Sequence, residues 1–134
     1  MVKNGLDINV ELSQLEQYPL LDVNKGIAIF GGSQTALNDM LFLFLEKSIS
    51  DNELAIFHRA HRMRDWETVL AIAHKLKGAT FYCGAIRLQR ICHYVEHYYN
   101  MRYVSSLEGL YKQFLVVLDQ TRVYIVEWLR SPSS

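Results

Sequence analysis

Four residues in one short stretch, His74, Lys75, Lys77 and Gly78, combine a nucleophile, two cations and an open position. A neutral imidazole nitrogen is a nucleophile near pH 7, because histidine ordinarily titrates at about 6.5. Phosphoryl transfer asks a protein for little covalent work. It asks for positioning and for positive charge near the phosphoryl oxygens. Lys77 lies three residues beyond His74, so on a helix the two share a face, whereas Lys75 falls on the flank. Either lysine can reach a phosphate there, and Lys77 is the better placed. Gly78 is the odd member. Glycine inside a helix costs about 1 kcal/mol relative to alanine, and something must offset that. One turn beyond His74 it leaves room beside the imidazole for another macromolecule's backbone. The alternative is a glycine that packs against a neighbouring helix.

The elements that must position these groups are helical. On a wheel at about 100° per residue, a helix over 66–83 buries Val69, Ile72, Ala73, Leu76, Ala79, Thr80 and Cys83. Its opposite side carries Glu67, Leu70, Ala71, His74, Lys77, Gly78 and Phe81. A solvated face would be mostly Lys, Glu, Gln and Arg. Here apolar Leu70, Ala71 and Phe81 surround a histidine, which suits a partner-docking surface better than bulk water.

Asp65 caps that helix, and Gly84 separates it from another over 85–100. A last helix over 104–129 has the inner stripe Leu107, Leu110, Phe114, Val117, Leu118, Thr121, Ile125 and Trp128. Upstream, Asp22 caps a short helix to about residue 30. Gly31 and Gly32 end it, and Ser33 caps an apolar helix to about residue 49 with Leu37, Met40, Leu41, Phe44 and Leu45 inside. Phe42 and Leu43 fall outside that stripe and need a second surface, for which the N-terminal arm is the expected cover. Asp51 or Asn52 restarts a helix through about residue 63. Residues 6–17 read as a short amphipathic helix or an irregular arm. No period-two alternation, hairpin signal or repeat interrupts this pattern. Amphipathic helices with short connections predict an all-α antiparallel up-down four-helix bundle with an added short N-terminal helix. The expected organisation is an arm at 1–19, a bundle at 20–130 and a tail at 131–134.

Composition is consistent with one soluble domain. Half of the 134 residues are hydrophobic, and 14 basic residues balance 14 acidic ones. Such a neutral chain lacks the electrostatic footprint of a nucleic-acid binder. No run of about 18 apolar residues occurs, so no membrane span is expected. The opening residues lack the basic-then-apolar order of a secretory signal. Cys83 and Cys92 sit in apolar patterns and read as core fillers in a reducing compartment.

The string Ala73-His74-Lys75-Leu76-Lys77-Gly78-Ala79 resembles the signature of the histidine-containing phosphotransfer (HPt) family. Asp65-Trp66 before the helix, Gly84-Ala85 after it, and Leu88, Cys92 and Glu96 beyond match the family's surroundings, as do Leu20-Leu21-Asp22 and Gly31-Gly32-Ser33. The resemblance spans roughly 20–125. Phe81 is bulky where many relatives are small, and residues 1–19 have no clear counterpart. The resemblance implies that a receiver domain's aspartyl phosphate exchanges with Nε2 of His74. It also implies that Glu96 accepts a hydrogen bond from Nδ1–H and fixes the tautomer.

The implied partners are response-regulator receiver domains and a hybrid sensor histidine kinase, with no nucleic acid and no direct membrane contact. The chain would act as a cytoplasmic monomer or as the C-terminal cytosolic domain of a membrane-bound hybrid kinase. It holds no ATP-binding domain and no cofactor of its own, and magnesium would come with the receiver. Two rival readings are an adaptor of the same fold that docks receivers without exchanging phosphate, and a metal-binding bundle. For the latter, His58 and His61 are three apart and His93 and His97 four apart, but no third ligand follows at a metal spacing.

Overall fold

A computed structural model describes residues 12–131. Among these residues the regular structure is entirely helical. A 3₁₀ turn at Leu15–Gln17 precedes α1 (Val23–Ile29) and α2 (Gln34–Leu43). A π turn, Phe44–Ser48, leads to α3 (Asp51–Arg62), followed by α4 (Trp66–Phe81), α5 (Ile86–Asn100) and α6 (Val104–Arg130).

Side-chain caps set most of these starts. Asp22 accepts from the Lys25 amide at 3.0 Å, Ser33 from Ala36 at 3.1 Å and Asp65 from Thr68 at 3.2 Å. Each such cap contributes about 1 kcal/mol. The start of α3 differs from expectation. Ser50 is the cap, accepting from the Glu53 amide at 3.3 Å, and Asp51 is already helical. Ser50 and Glu53 form the Ser-x-x-Glu pattern that marks a helix start, and the nearby Asp51 and Asn52 obscured it.

The helix expected to run to residue 49 instead widens after Leu43. The Ile49 amide donates to the Phe44 carbonyl at 3.1 Å, a five-residue spacing. That wider turn brings Phe44 and Ile49, 2% and 0% exposed, to the same buried side. Leu37 and Leu41 complete the inner stripe, while Met40 and Leu45 are partly buried against it. Phe42 and Leu43 remain about half exposed. Most of the arm expected to cover them, residues 1–11, lies outside the described residues, as do 132–134 of the tail.

α4 packs along α5 and α5 along α6, with α3 against α4. Val69, Ala73, Leu76 and Thr80 of α4 and Leu88, Cys92, Val95 and Tyr98 of α5 are all buried in the core these helices share. Thr80 and Thr121 satisfy their buried hydroxyls on the carbonyls of Lys77 and Val117. Trp128 closes the end of α6 against α2 by donating its indole N–H to Asn38 at 3.0 Å.

The turn between α4 and α5 positions the site. α4 ends at Phe81, two residues before the expected boundary, because Gly84 adopts φ +76° and its amide and that of Ala85 both return to the Thr80 carbonyl. Residues 18–22 lie across this turn as a strap. The Asp22 amide donates to the Gly84 carbonyl at 2.8 Å, the Arg87 amide to Pro19 at 3.0 Å and Arg87 Nε to Tyr18 at 2.8 Å.

A Cβ at Gly84 would stand 2.5 Å from the Asp22 carbonyl oxygen, on a backbone already in the left-handed region. Gly84→Ala is therefore expected to lower stability by roughly 2 kcal/mol or more. Urea denaturation measures this, and an unchanged midpoint would refute the strap-and-turn arrangement.

Candidate functional site

His74 projects from the middle of α4 with its side chain 72% exposed. Its Nδ1 lies 2.7 Å from Oε2 of Glu96, whose side chain is only 15% exposed on the facing side of α5. An ionised carboxylate only accepts, so the ring nitrogen that meets it carries the proton. In the neutral ring the lone pair then resides on Nε2, directed away from the carboxylate.

The second oxygen of Glu96 faces Lys77. The ammonium lies 2.7 Å from Oε1 but outside hydrogen-bonding angles, so the contact is an ion pair rather than an aligned hydrogen bond. Burial pulls the Glu96 carboxyl upward, yet Lys77 and His74 together outweigh it and hold the group below its ordinary value. Glu96 is thus an anion with two partners on α4. Lys77 shares the face of His74, as its spacing requires, but its charge is already engaged at the base of the imidazole.

The two lysines diverge. Lys75 lines a groove of about 570 Å³ between α3 and α4, together with Glu53, Ile56, Ala71, Ile72 and Leu76. It makes no ion pair among the described residues. Lys77 lines a separate groove toward α5.

Around His74, Glu67, Ala71, Gly78 and Phe81 are exposed and Leu70 is partly so. Phe81 is 50% exposed and meets Tyr82 edge to face, with ring centroids 5.3 Å apart. No heavy atom lies within 4 Å of a Cβ built on Gly78, so packing against a neighbouring helix does not explain that glycine.

The remaining histidines are engaged elsewhere or stand apart. His58 Nδ1 meets the Tyr111 hydroxyl at 2.9 Å. His61 stacks on Tyr111 at 3.7 Å and contacts Glu108 at 2.8 Å. His93 and His97 lie on the exposed side of α5 with ring centroids 6.2 Å apart. Among the described residues no three His, Cys, Asp or Glu side chains gather to hold a metal. Cys83 and Cys92 are buried free thiols. Burial pushes Cys83 up to about 12 and Cys92 higher still, so neither is a thiolate near neutrality. No helix of the described residues is long and apolar enough to cross a membrane.

Sequence reasoning named Glu96 and Lys77 separately and missed the ion pair between them. They lie on different helices, and only the packing of α4 on α5 joins them.

A family model described as Hpt domain matches residues 39–122, more than half of the chain. No curated protein and no solved structure matches it.

Because the space around Gly78 is open, Gly78→Ala is expected to raise stability by up to about 1 kcal/mol, the helix-propensity difference. Gly78→Gln is expected to remain folded. Thermal melts check both, and destabilisation in both variants would return the glycine to a packing role.

Proposed function

The chain belongs to the Hpt domain family, and from that premise we propose that His74 is its phosphorylated residue, in a phosphorelay of several steps. Domains of this family serve histidine phosphotransfer in two-component signalling and interact with receiver domains and kinases. On this reading α3–α6 form the antiparallel four-helix bundle of such a domain, with α1 added at its N-terminal side. The observation that carries the proposal is the 2.7 Å contact from Nδ1 of His74 to Glu96. It presents Nε2 as the nucleophile and holds the ring at a fixed angle.

In the proposed step, Nε2 attacks the phosphorus of a receiver's aspartyl phosphate. The P–N bond forms as the acyl P–O bond breaks, and the aspartate leaves as carboxylate. The ring keeps its Nδ1 proton and becomes a phosphoimidazolium, whose new positive charge faces the Glu96 carboxylate. Transfer to a second receiver reverses the bond changes. The receiver brings the magnesium, and this chain acts as a monomeric carrier with no cofactor of its own. Its donor would be the receiver of a hybrid sensor histidine kinase. The docking face consists of Glu67, Leu70, Ala71, Gly78 and Phe81. An adaptor that only docked receivers would have no use for a carboxylate aligned on the ring, which favours exchange over that alternative.

Incubation with a phosphorylated receiver should place acid-labile, alkali-stable phosphate on this chain. His74→Gln is expected to abolish it while the fold persists, because exposed substitutions usually move stability by under about 0.5 kcal/mol. Label that persists, or that moves to His93 or His97, would overturn the assignment.

The diverging lysines give a second expectation. Lys77→Ala should slow transfer more than Lys75→Ala, since only Lys77 shares both the face of His74 and its carboxylate. Single-turnover transfer rates measure this, and a larger effect from Lys75 would show that phosphate is approached from the α3 side.

A further inference from the structure

Five residues on one face of a single helix make a small footprint for a protein partner. Specific interfaces typically engage about 20–30 residues a side, and transient ones fewer. A receiver that docks over Glu67, Leu70, Ala71, Gly78 and Phe81 must therefore also touch a neighbouring helix. The groove between α3 and α4 is continuous with that face. Its lining includes Glu67 and Ala71, whereas the groove toward α5 shares none of the five. Ala71 precedes His74 by three residues, about 4.5 Å of helical rise, on the same face. Ala71 is exposed while Leu76 of the same groove is buried, so the groove deepens from the docking face toward the core.

We propose that this groove anchors the receiver domain by taking in one apolar side chain that is flanked by a lysine or arginine. The inference rests on the phosphotransfer reading of His74 and deepens it by naming what the partner must present. The groove seats no phosphate. It fixes the position of the receiver while Nε2 of His74 does the chemistry. Its shape and apolar lining decide the first half of the occupant. Leu76 is buried and Ile72 half-buried on the α4 wall, and Ile56 on the α3 wall is 47% exposed. Covering these groups removes apolar surface from water, which favours association. A volume of about 570 Å³ falls within the range of sites that enclose a drug-sized molecule, about 300–1,000 Å³, and so admits a whole side chain.

Charge decides the second half. Three carboxylates, Glu53, Asp65 and Glu67, line the groove against one ammonium, Lys75. Asp65 is occupied, because its two oxygens accept from the Thr68 amide at 3.2 Å and the Thr68 hydroxyl at 2.6 Å. Glu53 and Glu67 make no ion pair among the described residues. The lining is therefore net negative. A cation beside the partner's apolar side chain is attracted to it and a carboxylate repelled, which selects among receivers at the encounter.

Two phosphate donors separate docking from chemistry. A phosphorylated receiver that labels the parent chain must dock. Phosphoramidate need not: Nε2 of His74 attacks its phosphorus, the P–N bond of the reagent breaks, and ammonia leaves. Single-turnover transfer would be followed against receiver concentration for Ile56→Ala, Ile56→Asp and Glu53→Gln, with melts to verify folding. Val116→Asp on α6, at a position 47% exposed like Ile56, is the control. The receiver concentration at half-maximal rate is expected to rise about five- to tenfold in Ile56→Ala, the loss typical of an interface anchor, and further in Ile56→Asp. Glu53→Gln should raise it about two- to threefold at low salt, an effect that high salt screens away. The maximal rate and the phosphoramidate rate should stay within about twofold of the parent, the signature of lost uniform binding. An unchanged half-maximal concentration in both Ile56 variants, or an equal rise in Val116→Asp, would overturn the groove alone. So would a parent chain that sediments as a dimer and that Ile56→Asp makes monomeric, which would give the groove to a second copy. No effect of Glu53→Gln would overturn the flanking cation. Label from phosphoramidate but from no receiver would overturn receiver docking and the groove with it, and no label on His74 from either donor would overturn the phosphotransfer reading as well.

Discussion

Glu96 presents one carboxylate to two partners on the facing helix, Oε2 to Nδ1 of His74 and Oε1 to the ammonium of Lys77. The 2.7 Å hydrogen bond to His74 tolerates little error in how α4 lies along α5, because hydrogen bonds weaken steeply with distance and misalignment. A slide of one residue, about 1.5 Å of rise with a 100° turn, would break both. Both helices bury small residues, Ala73, Thr80 and Cys92, and larger ones, Leu76, Leu88 and Val95, in the shared core, so a slide would also disturb that packing. The Gly84 turn then fixes their relative start. Removing either feature would disturb the imidazole without altering any residue that touches it.

The asymmetry of exposure within this group is its chemical logic. On the proposed reading His74 is a nucleophile that meets another macromolecule and must be open, and its side chain is 72% exposed. The carboxylate that orients it works best away from water, and Glu96 is largely covered. A covered carboxylate left without partners would take up a proton and cease to orient anything. Lys77 and His74 together prevent this, holding the carboxyl below its ordinary value. Surface ion pairs are usually worth at most about 1 kcal/mol, and the value of this one lies in protonation state and geometry rather than in stability. On the proposed reading the ring becomes cationic when phosphorylated, and the same carboxylate then gains a full positive partner, which favours the phosphorylated product.

Much of this was legible in the sequence, for identifiable reasons. Side-chain caps are local, so Asp22, Ser33 and Asp65 could be read directly. The outward position of Gly78 followed from helical spacing alone. What escaped depends on tertiary packing. The π turn at Phe44–Ser48 exists because Phe44 and Ile49 must both be buried, and no regular wheel shows a five-residue spacing. The diversion of Lys77 to Glu96 needs two helices in register. So does the divergence of Lys75 into the α3 groove. The missed cap at Ser50 is a different kind of failure. Its signal was present, but the acidic Asp51 beside it offered an equally good cap.

The family match begins at residue 39, within α2, and so leaves out the 3₁₀ turn, the strap and α1. In the structure these segments are part of what positions the site. The strap's Asp22 bonds to Gly84 at the turn that sets α4 against α5. Its Tyr18 carries Arg90 on its ring while its carbonyl accepts from Arg87. Gly26 of α1 has no room for a Cβ, which would stand 2.8 Å from Leu37 and 3.3 Å from the Cys83 carbonyl, so α1 is pressed against the end of α4. The register of His74 with Glu96 therefore depends on residues well outside the segment that defines the family. A fragment restricted to that segment would retain every side chain of the site and lose the clamp that sets their spacing.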